Sequence, residues 1–470
     1  MTFSLVAPTA TILDGVSGEA LTGEALRAAV ASAASKVEGL PPGAVFARMG
    51  TSVDAVVRYL GCWEAKRAIA LLDPALDSDV LHEMVRLYAP AAVIGLTEGA
   101  PQLPVPSCPP GYLEREGAFV RGPEIEAPAV HEDLAVLLAT SGSTGNPKLV
   151  RLSRKAVWSN ADGIGHALEI GQDEVAPTSL PFFYSYGLSV LNSHLVAGAT
   201  VLVIDGGVLS QDFWRAVDRF GATSLAGVPY NYQMLDRIRW DPAKHPSLKV
   251  LTQAGGRLRV ELVEKFHDKI EKVGGRFYPM YGQTEATARI AILCRGGLPG
   301  KLGSAGKPLR GGRLLVRTED GALTEEPGVT GEVIYQGPNV MMGYAESAAD
   351  LSLGDELGGS LETGDIGYLD PDGYLFVTGR LKRIGKIFGV RVNLDDIEKL
   401  AGGGVAAVAN GEKVTLWCDA GHDADARAHL VKHLSERLKL HRSGLEVREI
   451  EALPQMSSGK VDYRALESML

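Results

Sequence analysis

Four short apolar runs, Leu134 to Leu138, Thr200 to Ile204, Thr223 to Val228 and Lys249 to Leu251, are separated by stretches of helix length that carry one apolar face. No other feature of the chain constrains the fold as strongly. A strand that is apolar along its whole length must be covered on both sides, and helix-length crossovers between such strands give a mostly parallel sheet with helices on its faces. Ser153 to Leu168, Ser210 to Phe220 and Val260 to Val273 are the expected helices. The first two open on a serine whose hydroxyl can accept from a free amide of the first turn.

Near Gly300 the pattern changes to glycine-punctuated, alternating segments, "GRLLVRT", "GEVIYQG" and "GYLDPDGYLFVTGR", which predict antiparallel strands with a turn at Asp372-Gly373. Beyond Arg380 come a basic cluster, a short helix pattern from Asp395, the triple glycine Gly402 to Gly404, a strand and a last helix. At 470 residues the chain exceeds one ordinary core. The fold class expected is therefore α/β: a large N-terminal domain (1–380) with mixed, mostly parallel sheets covered by helices and a β-rich subdomain near 300–380, then a small α+β C-terminal domain (381–470).

The charge balance, 57 acids against 47 bases for a net −10, offers no general field for a polyanion, so nucleic acid is not expected as a partner. Cys62, Cys108, Cys294 and Cys418 are scattered and form neither a Cys-x-x-Cys pair nor a dense framework, which suits a reducing cytoplasm. The first basic residue is Arg27, so the charged flank of a secretory leader is missing. The longest apolar candidate, Leu188 to Ile204, is interrupted by Asn192, Ser193 and His194 and falls short of the roughly 20 residues a bilayer needs. A buried helix followed by a buried strand is expected there.

Chemistry first shows at "LLATSGSTGNPKLVRLS", Leu137 to Ser153. The loop Thr140, Ser141, Gly142, Ser143, Thr144, Gly145 follows a predicted strand, at the carboxyl end where α/β sheets bind ligands. Amides freed by the glycines, the hydroxyls and Lys148 can surround phosphate oxygens. The spacing is not that of a P-loop. Four further stretches follow: "YGQTEATARI" (Tyr281 to Ile290), "LETGDIGYLD" (Leu361 to Asp370), "GRLKRIGKIFGVRVNLDDIE" (Gly379 to Glu398) and "LPQMSSGKVDYRAL" (Leu453 to Leu466). In this order and at these separations, with "LLDPAL" at Leu71 to Leu76, the set resembles the adenylate-forming superfamily of acyl-CoA synthetases, adenylation domains and luciferases. The resemblance runs from about Arg48 onward.

That resemblance implies ATP and Mg²⁺. The loop Thr140 to Gly145 with Lys148 would close over the β and γ phosphates; Tyr281 would stack on adenine beside Gly282, with Gly255 and Gly256 giving backbone contacts; Thr284 would touch the α phosphate and Glu285 would coordinate Mg²⁺. Asp365, helped by Arg380, would accept from both ribose hydroxyls, and Lys460 would bridge the substrate carboxylate and the nucleotide. The residue types suit these roles, because a carboxylate pairs with a diol, a ring stacks on a purine, and Mg²⁺ prefers oxygen. The C-terminal domain would be mobile, pivoting at Lys382 to bring Gly389 to the incoming thiol. Most of the basic run Arg380, Lys382, Arg383, Lys386, Arg391 is expected to be solvated.

The reaction implied is attack of a carboxylate on the α phosphate, loss of pyrophosphate, and transfer from acyl-AMP to a pantetheine thiol on a carrier protein or CoA. Two departures from the family pattern matter. Tyr184 stands where many members carry histidine, and Arg257 replaces an acid after Gly255-Gly256. Leu180 to Val190 contains no acid, which disfavours an α-amino acid. A wall of Phe183, Tyr184, Tyr186, Val228, Tyr230, Tyr278 and Met280 suits an acyl or aryl acid. With no carrier domain after Leu470 and no clustered site for the 3′-phosphate of CoA, a separate carrier protein is expected ahead of CoA. Transfer to a nitrogen nucleophile, activation of a non-carboxylate oxyanion, and a non-catalytic nucleotide- or acyl-binding protein stay as alternatives.

Overall fold

The computed structural model describes residues 3–97, 105–139, 148–381, 383–387, 390–421, 423–438, 440–456 and 460–470. The expected phosphate loop 140–145, the hinge Lys382 and Gly389 lie outside these residues. The chain packs into two compact units, Met1–Arg313 with Tyr335–Leu361, and Leu314–Ile334 with Glu362–Leu470.

Among the described residues, three sheets build the first unit. The eight-stranded one runs in the order Gly343–Ala345, Leu149–Ser153, Leu134–Ala139, Ile69–Leu72, Val45–Arg48, Ala92–Ile94, Ala118–Arg121, Tyr112–Arg115. Its centre is parallel, where the fully apolar strands are covered on both faces, and its edges are antiparallel. A five-stranded sheet places Ser224–Gly227, Val250–Gln253 and Arg276–Tyr281 parallel, then Ala291–Ile292 and Lys307–Pro308 antiparallel. The helix Val260–Glu271 covers it with Leu262, Val263, Phe266 and Ile270. Both expected serine caps form. Ser153 Oγ accepts from the Ala156 amide before the helix Arg154–Leu168, and Ser210 Oγ accepts from the amides of Asp212 and Phe213 before Gln211–Arg219.

The interrupted apolar stretch is the helix Ser185–Ala197, closed by Gly198 at φ +77°, followed by the strand Thr200–Val203 of a four-stranded sheet. Every position from Ser185 through Leu195 except Val190 is buried, so this is a core helix with little amphipathic character. Among the described residues no helix is long and apolar enough to cross a membrane, and all four cysteines are free.

The second unit contains the five-stranded sheet expected from the glycine-rich segments, in the order Leu323–Thr324, Arg313–Arg317, Gly331–Gln336, Ser360–Leu369, Leu375–Arg380. The last two strands are antiparallel around the Asp372-Gly373 turn, where Gly373 takes φ +78°. The same unit holds a three-stranded sheet, Val405–Asn410, Lys413–Cys418 and Leu445–Glu449, packed with the helices Leu394–Ala401 and Ala424–Leu438 through Ile397, Val414, Leu416 and Leu434.

Burial of polar groups in the core helix has a titration consequence. The His194 ring is 5% exposed and its Nδ1 lies 2.8 Å from the Val190 carbonyl, to which it donates, and burial drives the imidazole down to about 4. The folded state therefore binds fewer protons than the unfolded chain between pH 6.5 and 4, so stability falls as pH is lowered through that window. Urea unfolding of wild type should lose on the order of 3 kcal/mol across this range relative to His194→Gln, which lacks the titration. Parallel pH profiles for the two proteins would exclude the effect.

Candidate active site

Three parallel strands end side by side. The carboxyl ends of Ser224–Gly227, Val250–Gln253 and Arg276–Tyr281 deliver Val228, the Gly255-Gly256 pair and Tyr281, as the crevice rule for such sheets requires. A Cβ on Gly255, which sits at φ +82°, would lie 2.4 Å from the Tyr184 hydroxyl, so only glycine lets that ring close over the strand end. Burial pushes the Tyr184 hydroxyl up to about 12, which keeps it protonated and a hydrogen-bond donor at neutral pH. Arg257 is exposed.

After Tyr281 the chain doubles back on itself. A Cβ on Gly282 would lie 2.0 Å from the Ala288 carbonyl oxygen, so the two segments touch through backbone. The short turn Thr284–Ala286 is followed by Thr287 at φ 65°, ψ −55°, and the Ala288 amide donates to the Ala286 carbonyl at 2.7 Å. That is a three-residue turn in its rare, strained form, and a β-branched residue at its centre costs on the order of 1–3 kcal/mol. Asn339 holds it. Thr287 Oγ1 donates to the Asn339 carbonyl (2.8 Å), and Asn339 Nδ2 lies 2.9 Å from the carbonyls of both Ala286 and Arg289. Tyr335 donates to Asn339 Oδ1 at 2.7 Å, and Asn160 donates to the Arg289 carbonyl at 2.9 Å.

This turn presents the expected phosphate- and metal-binding pair. Thr284 Oγ1 lies 3.2 Å from Ser185 Oγ at the start of the core helix. Glu285 accepts from the Tyr344 hydroxyl at 2.8 Å, and burial together with the Glu285 carboxylate pushes that hydroxyl well above its ordinary range. Lys148 Nζ sits 5.4 Å from the centre of the Tyr344 ring and 2.5 Å from Glu346 Oε1. Two motifs far apart in sequence thus meet on one tyrosine. Arg151, fully buried, fixes that tyrosine's segment: it donates to the carbonyls of Met342, Tyr344, Leu353 and Gly354 and pairs with Glu356. Sequence reasoning missed Tyr344, Glu346 and Asn339, which lie outside every quoted motif.

The expected acid-binding wall is partly assembled. Tyr186, Val228, Tyr278 and Met280 belong to one buried apolar cluster, with Tyr184 and Tyr230 packed against it; Phe183 is half-buried and outside that cluster. Tyr186 and Met280 also line a small pocket, partly open to solvent, together with Ser189, His194, Thr252 and Arg289. Tyr186 Oη lies 2.8 Å from Thr252 Oγ1. Arg289 stands near the end of a quoted motif, yet sequence reasoning gave it no role. The available signal was a lone cation inside "ATARIAIL", a run otherwise made of small and apolar residues.

In the second unit Asp365 and Arg380 face each other across the antiparallel pair, and Arg380 Nε donates to Asp365 Oδ1 at 2.8 Å. Asp365 is 3% exposed. Lys460 is half-buried; its carbonyl accepts from the Met456 amide, and the Asp462 amide donates to the Pro454 carbonyl. Arg383 departs from the expected solvated run. Its side chain is 15% exposed, lies 2.7 Å from both Asp395 Oδ1 and Glu398 Oε1, and stacks 3.8 Å from the centre of the Tyr463 ring. The Tyr463 hydroxyl in turn donates to Glu398 Oε2. Two carboxylates and a ring face make burial of this guanidinium favourable, so it anchors the unit internally.

The chain belongs to the AMP-binding enzyme family, whose profile matches residues 6–345, and is thus a member of the adenylate-forming superfamily. It is 29% identical to a feruloyl-CoA synthase of Amycolatopsis over 94% of this chain and 93% of that protein. It is 34% identical to the oxalate–CoA ligase of Arabidopsis thaliana over 54% of this chain, spanning about half (49%) of that relative's length. For a 2-succinylbenzoate–CoA ligase of Bacillus cereus the figures are 32% identity, 56% of this chain and 53% of the relative. Its fold matches the o-succinylbenzoate CoA synthetase of Bacillus subtilis bound to its acyl-adenylate (TM-score 0.76, 22% identity, 99% and 96% of the chains covered). It also matches ATP-bound MatB from Rhodopseudomonas palustris (TM-score 0.78, 23% identity, 100% and 99% covered).

Removing Arg383 leaves Asp395 and Glu398 uncompensated. Arg383→Ala should lower stability by about 3–5 kcal/mol, and Arg383→Lys, which keeps charge without the planar fork, by less. Chemical denaturation measures both; an unchanged midpoint for the alanine variant would show that the network adds nothing.

Proposed function

We propose that the protein activates a carboxylic acid with ATP and passes the acyl group to a pantetheine thiol. The observation that carries the reading is the convergence of Lys148 and Glu285 on Tyr344, beside Thr284, at the carboxyl end of a parallel sheet. Membership of the AMP-binding family supports it, and the names of the relatives give CoA as their acceptor. CoA therefore replaces a carrier protein as the first expectation.

In the first step an oxygen of the substrate carboxylate attacks the α phosphorus of ATP. The bond from that phosphorus to the bridging oxygen breaks, and pyrophosphate leaves with the electron pair. Two anions must approach, and in a partly desolvated site their repulsion is the barrier the protein has to lower. Lys148 and the loop 140–145 bind the outgoing phosphates, Thr284 the α phosphate, Tyr281 the adenine, and Asp365 with Arg380 the ribose. Lys460 brings one positive charge to the reacting oxygens. In the second step the thiolate attacks the acyl carbon, AMP leaves, and the thioester forms. No protein nucleophile is required.

Among the described residues no group of three or more His, Cys, Asp or Glu side chains forms a ready metal cage. Mg²⁺ is commonly held by one or two carboxylates together with substrate phosphates. Glu285 would hold it, positioned by Tyr344, and the ion would neutralise phosphate charge.

Acid-dependent exchange of labelled pyrophosphate into ATP tests the reading; no exchange with any acid across an acyl and aryl panel would overturn it. Lys460→Ala should abolish exchange, by at least about 100-fold, and still convert added acyl-AMP to thioester. Equal loss in both steps would refute that division. Gly389→Trp should do the reverse, because a bulky ring blocks the thiol's approach while leaving the phosphates alone. Unimpaired thioester formation by this variant would remove Gly389 from the thiol's path.

A further inference from the structure

The Arg289 guanidinium is 2% exposed, lines the cavity of the first unit, and is incompletely satisfied. Nη2 donates to Ser189 Oγ at 3.2 Å, the carbon centre stacks 4.4 Å from the middle of the Tyr186 ring, and Nε has no partner among the described residues. The other deeply buried arginines of this unit are treated differently. Arg151 has Glu356 and four carbonyls; Arg48 donates to the carbonyls of Leu96 and Pro74, and Arg121 to those of Ala89 and Pro42. Among the described residues Arg289 makes no ion pair and donates from its side chain to no carbonyl. Burial lowers its affinity for its proton, and the neighbouring hydroxyls of Tyr186 and Tyr184 are themselves kept protonated by burial.

A buried, unpaired cation costs several kcal/mol, and a methionine would fill the same volume without that cost. The cation is nevertheless held firmly in place: the Arg289 carbonyl is gripped by both Asn339 and Asn160. Glu174, the one acid among the described residues that line the cavity, accepts from Thr223 Oγ1 at 2.5 Å and makes no ion pair with Arg289. His194, also lining the cavity, is kept neutral by burial. The cavity thus offers an anion one delocalised, fork-shaped cation, with the hydroxyls of Ser189 and Thr252 among the lining. Its wall continues through Tyr186 to Tyr184, whose ring centres are 6.3 Å apart, and Tyr184 closes on Gly255.

We propose that Arg289 binds a second carboxylate of the substrate, so that the acid activated here is a dicarboxylic acid whose remote end enters this cavity. The proposal rests on the acid-activating function above and names its substrate class. Adenylation consumes one carboxylate; the other stays ionised, paired with Arg289 through two parallel N–H to oxygen bonds, and takes no part in bond making. A monocarboxylic acid of equal length leaves the guanidinium buried and unpaired, which is the arrangement that gives strong discrimination.

The test pairs each straight-chain dicarboxylic acid from malonate to suberate, and phthalate isomers, with the matching monocarboxylic acid. Two readouts are taken, pyrophosphate release and protection of the protein against thermal unfolding. Wild type should favour its best diacid over the matched monoacid by about 100-fold or more in kcat/KM. Arg289→Met should lose most of that preference through KM while keeping turnover of the monoacid, and Arg289→Lys should fall between. A purely structural arginine would lower both acids together. A wild-type preference for monoacids, or a diacid preference that survives Arg289→Met, overturns the proposal even if adenylation is confirmed. Diacid protection that vanishes in Arg289→Met, without pyrophosphate release from any acid, would instead sink the adenylation reading and leave the carboxylate site standing.

Discussion

The turn centred on Thr287 is held against its own backbone preference, and the candidate site residues Thr284 and Glu285 depend on that restraint. A β-branched residue at φ 65° relaxes unless its surroundings over-determine it. Here one asparagine does so with three hydrogen bonds, to the segment before the turn, at the turn and after it. Upstream of the turn stand Thr284 and Glu285; downstream stands Arg289. Without the reversal these side chains would be spread along an extended strand. With it, Gly282 touches Ala288 through backbone, and one six-residue stretch presents oxygen ligands at one end and a buried cation at the other.

Support for that stretch comes from chain far away. Asn339 and Tyr335, and Tyr344 with Glu346, lie on a segment whose own position is set by Arg151 of the strand Leu149–Ser153. That strand directly follows the glycine- and hydroxyl-rich loop. The strand, the turn and the clamp are therefore mechanically one piece, and Lys148 at the start of the strand meets Glu285 through Tyr344. Such an arrangement positions charges before substrate arrives, which is where the catalytic advantage of a preorganised polar site lies.

Much of the architecture was legible in the sequence. Fully apolar runs such as Leu134 to Leu138 and Thr200 to Ile204 had to be covered strands, and Ser153 and Ser210 marked helix starts because a serine hydroxyl satisfies a free amide of the first turn. The interrupted stretch around Asn192 resolved correctly as helix then strand, since its polar residues forbade a membrane span while its apolar ones demanded a core. The motifs carrying Thr284, Glu285, Asp365 and Lys460 carried the resemblance to the family to which the chain belongs; the roles expected of these residues stay proposals. What escaped was pairing. Arg383 sits in a basic run that reads as surface, because nothing in the run shows that Asp395, Glu398 and Tyr463 fold around it. Tyr344 and Asn339 carry no local signature either; a tyrosine or asparagine becomes functional only through what tertiary contacts set beside it.

Buried arginines separate structure from function more cleanly than buried apolar residues do, because a guanidinium with five donors leaves a countable deficit. Arg151 and Arg383 both have carboxylate partners and also donate to carbonyls, and their burial is explained by the segments they tie together. Arg289 has one hydroxyl and one ring face. Its backbone is clamped, its side chain lines a cavity, and its Nε has no partner among the described residues. A fold that holds a strained turn and an under-satisfied cation in the same six residues keeps both at the expense of stability. If Thr284 and Glu285 bind phosphate and metal as proposed, and Arg289 the second carboxylate, a single clamped turn would serve both substrates.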